Sequence, residues 1–277
     1  MLLAIDVGNT NTVLGLYNHD SSELVADWRI TTHKNQTSDE YGMLFLNLFA
    51  MRQIDVSKIS AIVVSSVVPP LDTTIRRLCE RYFGIRPLFV EPGIKTGMPL
   101  LVDNPAELGA DRIVNGVAAF ARYGGPIIIV DFGTATTFDV ISARGEYIGG
   151  VIAPGLGISA DALFSRAAKL ARVDIKRPAR TIGTNTIAHL QSGLFYGYIG
   201  LVDGILERML AEIEASQPNG TTAPKVIATG GLAHMLHDDS KYITAIDDML
   251  TLDGLRLLYE RNRTPRSRSA SSPATTT

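Results

Sequence analysis

The sequence predicts an α/β protein made of two halves of one design. Three observations carry that expectation: strand-like and helix-like segments alternate, an apolar strand followed by Asp and a glycine turn occurs twice, and a helix-forming stretch separates the two occurrences. The first occurrence runs from residues 2–5 into Asp6-Val7-Gly8-Asn9-Thr10-Asn11-Thr12, and the second from Ile127-Ile128-Ile129-Val130 into Asp131-Phe132-Gly133-Thr134-Ala135-Thr136-Thr137. Laying Asp6 on Asp131 pairs Gly8 with Gly133 and Thr12 with Thr137.

In the first half, residues 2–5 and 12–17 read as a hairpin that residues 25–30 extend. Residues 38–51 place Tyr41, Leu44, Phe45, Leu48 and Phe49 at helical spacing. Residues 61–68 read as a buried strand that Pro69-Pro70 stops, and residues 73–82 as a helix. Asn104 has the features of a cap, with Pro105 at the first helical position and Glu107 at the capping-box position, so a helix is expected from there to Tyr123, connecting the halves.

In the second half, residues 136–141 follow the glycine turn as its return strand. Residues 161–170 and 193–210 read as helices, residues 226–231 as a strand entering a glycine turn, and residues 252–260 as a closing helix. From Thr264 the Ser/Thr/Pro/Arg-rich tail lacks apolar content and is expected to be disordered. The expected domains are residues 1–117 and 118–262, with a tail at 263–277.

Composition narrows the partners. With 277 residues, 45% of them hydrophobic, the chain supports two separate cores. Its formal net charge of -2 supplies no positive field, so neither nucleic acid nor a membrane surface is an expected partner. Asp6 interrupts the apolar start before a secretory segment accumulates, and no stretch reaches transmembrane length. A single cysteine, Cys79, forms no intrachain disulfide, and a reducing cytoplasmic setting is expected.

The paired hairpins suit one chemistry. Phosphoryl transfer needs backbone donors near phosphate oxygens, carboxylates to hold a cation, and a base beside the accepting hydroxyl. Gly8 permits close backbone approach, the amides and hydroxyls after it can face phosphate, and Asp6 at the strand end can hold Mg²⁺ through water. The segment from Asp131 offers the same from the opposite side, and the later Ala228-Thr229-Gly230-Gly231 turn can pack beneath a purine. Taken singly, either Asp-Gly turn reads equally well as an ordinary hairpin. Together they resemble the organisation of the actin-like, sugar-kinase and Hsp70 ATPase superfamily, which implies two ribonuclease H-like domains with mixed sheets flanked by helices.

A narrower resemblance follows from the successive motifs. The two Asp-Gly segments, Asn104-Pro105 with Gly109-Ala110-Asp111-Arg112, Gly149-Gly150 with Pro154-Gly155, and Asn185-Thr186 with Ser192-Gly193 are similar to those of type III pantothenate kinases, in order, across residues 1–262. The resemblance implies ATP-dependent phosphorylation of pantothenate, the first step of coenzyme A synthesis. It implies that Asp6, Val7, Gly8, Asn9, Thr10, Asn11, Thr12 and Val13 form the ATP phosphate-binding segment, with Thr134 adding a contact. It further implies that Asp131 holds a monovalent cation, K⁺ or NH₄⁺, that Gly109, Ala110, Asp111, Arg112 and Thr186 line the pantothenate site, and that Asp111 accepts the hydroxyl proton. The family forms homodimers with residues of both subunits near the substrate. One stretch departs from the family pattern: Leu101-Val102-Asp103 stands where many members place an aromatic residue before Asn-Pro.

On residues alone, the Asp111-Arg112 pair reads more readily as a solvated ion pair than as catalytic groups. Gly155-Leu156-Gly157-Ile158-Ser159-Ala160 mimics a dinucleotide fingerprint and raises an NAD-dependent oxidoreductase as a rival. Against it, Pro154 breaks the strand before the first glycine and both Asp-Gly hairpins are left without purpose. No Walker-type Gly-Lys-Ser/Thr loop occurs. His234 and His237 beside Asp238 and Asp239 have metal-like spacing but read as an exposed helix end. A non-catalytic accessory regulator of the same fold is the third class.

Overall fold

Each half of the chain folds around a hairpin whose central strand is apolar on both faces. The computed structural model describes residues 1–19, 21–167, 170–216 and 223–263, so the expected disordered tail from Thr264 lies outside the described residues. In the first half, β1 (Leu2–Val7), β2 (Asn11–Tyr17) and β3 (Leu24–Thr31) precede α1 (Ser38–Met51), β4 (Ala61–Ser66), α2 (Pro69–Phe83) and β5 (Leu88–Phe89). α3 (Ala110–Tyr123) follows, and then β6 (Ile127–Phe132), β7 (Ala135–Ile141), β8 (Tyr147–Pro154), α4 (Leu156–Arg166) and α5 (Thr186–Ser216). The chain continues through β9 (Lys225–Thr229), α6 (Ala233–Leu236), β10 (Ala245–Ile246) and α7 (Leu250–Asn262).

The two sheets share one topology. Their strand orders, β3-β2-β1-β4-β5 and β8-β7-β6-β9-β10, superimpose element by element. In each, the first three strands form an antiparallel meander and the last two run parallel to its first strand. The expected mixed sheets flanked by helices are therefore present, twice.

Period-2 alternation assigns each side chain a face. From β1, Leu3, Ile5 and Val7 join a core with Tyr41, Phe45 and Phe49 of α1 and Ile75 and Leu78 of α2. From β6, Ile128, Val130 and Phe132 join a second core with Phe195, Ile199 and Val202 of α5. The opposite faces, Leu2 and Ala4 on β1 and Ile127 and Ile129 on β6, meet in a third core built on α3 and α7. Two helices therefore lie between two sheets, and the outer helices cover the outer faces.

The inner helices are closely joined. Gly254 of α7 leaves no room for a Cβ against the Val114 carbonyl of α3, so a larger residue there would push the helices apart. Arg122 of α3 pairs with Asp247 at 2.5 Å and with Asp253 of α7. Tyr17 of β2 donates to Asp253 at 2.9 Å, tying the same network to the first sheet.

Several boundaries differ from the sequence expectation for identifiable reasons. Pro69 and Pro70 end β4 but also open α2, because proline suits the first turn of a helix. Asn104 does cap, accepting from the Ala106 amide at 3.2 Å, but what it caps is a single 3₁₀ turn at Pro105–Glu107. Leu108 and Gly109 are extended, and the helix to Tyr123 restarts at Ala110. α4 begins at Leu156 rather than residue 161, and α5 reaches well beyond residues 193–210 at both ends. Cys79 is fully buried in α2, and burial pushes its thiol up to about 12.

Candidate active site

The alternation that builds the cores also aims the acidic groups. Asp6 lies two residues beyond Ala4, and Asp131 two beyond Ile129, so both carboxylates occupy the inner faces of their sheets. Each sits at its strand's C-terminal end, where the hairpin turns. The turns are closed by Gly8 N–H donating to Asn11 O at 3.0 Å and Gly133 N–H donating to Ala135 O at 3.1 Å. At their tips the Thr10 and Thr134 hydroxyls share a hydrogen bond of 2.7 Å, so the hairpins of the two halves face each other in contact.

The ladders correct the alignment of the repeat by one residue. Val7 pairs with Thr12, whereas Phe132 pairs with Thr136, so Thr12 corresponds to Thr136 and Val13 to Thr137. The second turn is one residue shorter than the first. Thr12 and Thr136 are both fully buried and face the outer cores. Thr12 shares a 2.9 Å hydrogen bond with Thr32, which donates to Gly8 O at 2.7 Å. Thr12 thus braces the first turn from behind, as Thr136 is braced by the Tyr198 hydroxyl.

Between the hairpins lies the start of α3. The break at Leu108-Gly109 brings Asp111 into its first turn, where its Oδ1 accepts the Arg112 amide at 2.8 Å. A Cβ at Gly109 would stand 2.6 Å from that oxygen, so glycine leaves the carboxylate its place. Burial raises the Asp111 carboxyl above its ordinary range, against the opposing pull of the Arg112 amide and guanidinium. Burial also pushes Asp6 up to about 7, with the charges of Asp111 and Asp131 adding to the effect. Asp131 rises to about 7 through burial, then Asp111 and Asp139.

Supporting groups hold these carboxylates. The buried Asn115 of α3 donates to Asp131 at 3.0 Å and accepts from Thr251 of α7 at 2.7 Å, which fixes the direction of its amide. Gly230, at φ 91°, lies against Asp131, and a Cβ there would stand 2.5 Å from Oδ1. Arg29 of β3 stands in the same cross-strand row as Asp6, through Val13, and its charge lowers both Asp6 and Asp131. It is exposed, and no hydrogen bond or ion pair engages it among the described residues.

Arg112 is gripped from below. Its Nε and Nη2 each lie 2.6 Å from Asp139 Oδ1, and Asp139, 0% exposed, also accepts from Tyr147 at 2.6 Å and from Thr137 at 3.2 Å. The Asp111-Arg112 pair is therefore not a solvated surface pair. Asp139 and Gly150 face each other across β7 and β8, and a Cβ at Gly150 would stand 2.6 Å from Nη2. A Cβ at Gly150 would also meet the Phe138 carbonyl at 2.1 Å, so glycine there serves the close approach of β7 as well as the guanidinium, while Gly149 has a φ of 140° that side chains rarely adopt.

The remaining candidates divide. Asn9, Thr10 and Thr134 are exposed at the facing tips, and Gly8 and Asn11 are partly so, whereas the Val7 side chain is wholly in the outer core and Val13 packs on the inner one. Ala110 shares the α3 start with Asp111 and Arg112. Thr186 opens α5, exposed, after Asn185 caps that helix through the Ala188 amide at 2.9 Å. No hydrogen bond joins it to residues 109–112 among the described residues. Val102, in place of the family's usual aromatic, packs on the central core, while Leu101 is exposed.

The rival motifs find ordinary uses. β8, before Gly155-Leu156-Gly157, is an antiparallel edge strand rather than the parallel strand of a dinucleotide-binding unit. Gly155 instead packs beneath the second hairpin and donates to Thr134 O at 3.2 Å. His234 pairs with Asp248 and His237 with Asp238. Among the described residues no three His, Cys, Asp or Glu side chains form a metal-holding group.

Arg29, Asn115, Asp139 and Tyr147 are absent from the sequence-based set. A signal for Asp139 does exist in the chain, since a charge between Phe138 and Val140-Ile141 interrupts an otherwise apolar strand end. The others carry no local mark, because their roles depend on contacts between elements far apart in the chain.

Comparison with known proteins bears on the family and the fold. A family model described as type III pantothenate kinase matches residues 2–208. The chain is 60% identical over 271 residues to the type III pantothenate kinase of Koribacter versatilis, covering 95% of this chain and 96% of that protein. It is 57% identical over 263 residues to that of Geobacter sulfurreducens, covering 95% and 100%. A putative 2-dehydro-3-deoxygalactonokinase structure from Sinorhizobium meliloti superimposes with TM-score 0.58 at 12% identity, covering 94% of this chain and 99% of that one. A putative Baf family transcriptional activator structure from Campylobacter jejuni does so with TM-score 0.57 at 20% identity, covering 94% and 98%. These two likenesses concern the fold alone, and neither favours the regulator or the oxidoreductase reading.

The raised carboxyls predict a pH dependence with a definite sign. A carboxyl at 3.8 when unfolded and about 7 when folded favours the native state fully below 3.8, and that contribution is lost as pH rises through about 7. Asp131→Asn, which carries no such penalty, should exceed the ligand-free wild type in stability at pH 8 by about 1–3 kcal/mol, with a smaller gap at pH 5. Urea unfolding at the two pH values checks this, and a variant less stable than wild type at pH 8 contradicts it.

Proposed function

The chain belongs to the type III pantothenate kinase family, and we propose on that premise how its own residues divide the work of moving a phosphoryl group from ATP to pantothenate. The observation that carries the proposal is the meeting of the two hairpins, Thr10 to Thr134 at 2.7 Å, with Asp6, Asp131 and Asp111 converging beside them. Such an arrangement places donors and carboxylates on two sides of one polyphosphate tail.

In this reading Gly8, Asn9, Thr10 and Asn11 present backbone amides and side chains to the phosphates from one side, and Gly133 and Thr134 from the other. Val7, Thr12 and Val13 act through the shape of the first hairpin rather than by side-chain contact. Binding requires the Thr10–Thr134 contact to yield to the nucleotide, and closure of residues 1–117 and 118–262 over it follows, with α3 crossing the boundary unbroken. Arg29, in the Asp6 row and without a hydrogen bond among the described residues, is placed to meet phosphate charge. The Gly230-Gly231 turn beside Asp131 supports the purine side.

Asp6 and Asp131 also fit cations. Two carboxylates, each raised to about 7 by burial first and by the charge of Asp111 next, form a site where a positive ion offsets the cost of ionising them. Asp6 would hold Mg²⁺ and Asp131 the monovalent cation, K⁺ or NH₄⁺. When bound, these ions supply charge neutralisation along the phosphates. Everything else falls to the protein's own groups.

Asp111 is the general base. Burial raises its proton affinity, and its place in the first turn of α3 sets it beside both hairpins, so it can take the proton of pantothenate's primary hydroxyl as that oxygen attacks phosphorus. Gly109 and Ala110 form the backbone wall next to it, and Arg112 meets pantothenate's carboxylate. The product, 4'-phosphopantothenate, enters coenzyme A synthesis in the cytoplasm.

Thr186 completes the pocket from a second copy of the chain. Edge strand β8 and α4 expose Ile148, Ile152, Ile158 and Leu163, apolar groups of the kind a homodimer interface covers.

Two outcomes are expected in a coupled ADP-release assay. Asp111→Asn should lower turnover by about two to four orders of magnitude while binding of an ATP analogue stays within about threefold of wild type. Unchanged turnover would remove Asp111 from the chemistry. Titration with K⁺, NH₄⁺ and Na⁺ from a cation-free start should show activation by the first two, and Asp131→Asn should abolish the response. Equal rates without any added monovalent cation would reject that role for Asp131.

A further inference from the structure

We propose that Asp139, assisted by Tyr147, is a positioning residue that sets the substrate specificity of the pocket by aiming the Arg112 guanidinium at the substrate carboxylate. The inference rests on the reading of Arg112 as the carboxylate partner and adds the group that makes that contact directional.

The geometry separates the two edges of the guanidinium. Asp139 Oδ1 takes both Nε and Nη2 at 2.6 Å, which holds one edge of the plane against β7. Nη1 makes no hydrogen bond among the described residues, so the end carrying Nη1 and the outer N–H of Nη2 faces away from Asp139. Those paired N–H groups match the two oxygens of a carboxylate. Tyr147, 1% exposed, donates to the same Oδ1 at 2.6 Å and Thr137 donates to Oδ2 at 3.2 Å, so the carboxylate that aims Arg112 is itself fixed.

The repeat offers an internal control. Asp139 pairs with Ile129 on β6, and the corresponding pair in the first sheet is Ala4 with Gly15. Gly15 lies under Leu252 of α7, so the fold builds this position from a glycine beneath an aliphatic side chain in one half and a carboxylate beneath an arginine in the other. The charge at 139 is thus not demanded by the strand or its pairing. A buried ion pair is also a poor source of stability, because desolvation offsets its attraction. Both points direct the pair toward the pocket, where Arg112 retains 14% exposure.

The test compares pantothenate with its alcohol analogue, in which CH₂OH replaces the carboxylate, in wild type, Asp139→Asn, Tyr147→Phe and Arg112→Lys. KM and the ratio of the two substrates do not depend on the fraction of folded enzyme, so partial misfolding does not obscure the result. Asp139→Asn should raise KM for pantothenate about 10- to 100-fold, the range of one charge-assisted contact, with kcat and KM for ATP within about threefold. KM for the alcohol should stay near wild type, so discrimination collapses. Arg112→Lys should show the same signature, and Tyr147→Phe a milder one of about two- to fivefold. Wild-type discrimination in Asp139→Asn or Tyr147→Phe, with loss in Arg112→Lys, overturns the role of Asp139 and leaves the pocket reading standing. Wild-type discrimination in Arg112→Lys overturns both.

Discussion

Like charges gathered where water is scarce are the constraint on which this structure depends. Asp6 and Asp131 are delivered to one space by the pleat of two strands, and burial lifts both to about 7, with the charges of Asp111 and Asp131 adding at Asp6 and those of Asp111 and Asp139 adding at Asp131. An assembly of that kind is costly to a folded protein unless a ligand relieves it. The surrounding parts are arranged around that tension: hairpin tips that touch through Thr10 and Thr134, an amide from Asn115 that holds Asp131, and the guanidinium of Arg29 in the Asp6 row, whose charge lowers both carboxyls.

The inner helices bring Asp111 and Arg112 into this charge arrangement, where the proposed reading gives them the chemistry. α3 starts late, after a capped 3₁₀ turn and two extended residues, and that delay puts Asp111 and Arg112 in the first turn of the helix. α7 then fixes α3 through the close approach at Gly254, the Arg122 ion pairs and the Thr251–Asn115 hydrogen bond. The chain's last described helix therefore determines the orientation of groups far earlier in sequence. The two hairpins and the helices that support them meet in a layer built from both halves.

Much of this was legible from residues alone because the signals are local. The duplicated Asp-Gly hairpins, the apolar strands and the helix over Ser38–Met51 follow from alternation and helical spacing. The substrate and the roles of Asp111 and Asp131 entered through family resemblance, since an Asp-Arg pair on a helix has no chemistry of its own. What escaped depends on distance in the chain. The one-residue difference between the turns is decided by strand pairing, and the break at Leu108-Gly109 overrode a well-formed cap because the helix had to be redirected. Asp139 was visible only as an odd charge in an apolar strand, and its meaning came from Arg112 arriving from another element.

The central claim is that both hairpins grip a single nucleotide tail, with Asp6 and Asp131 on opposite sides of it. A crystal structure with a non-hydrolysable ATP analogue, Mg²⁺ and pantothenate tests this most directly. The account predicts phosphates lodged between Thr10 and Thr134, a cation beside each of Asp6 and Asp131, and the pantothenate hydroxyl within hydrogen-bonding reach of Asp111. An analogue bound with its phosphates away from either hairpin would contradict it.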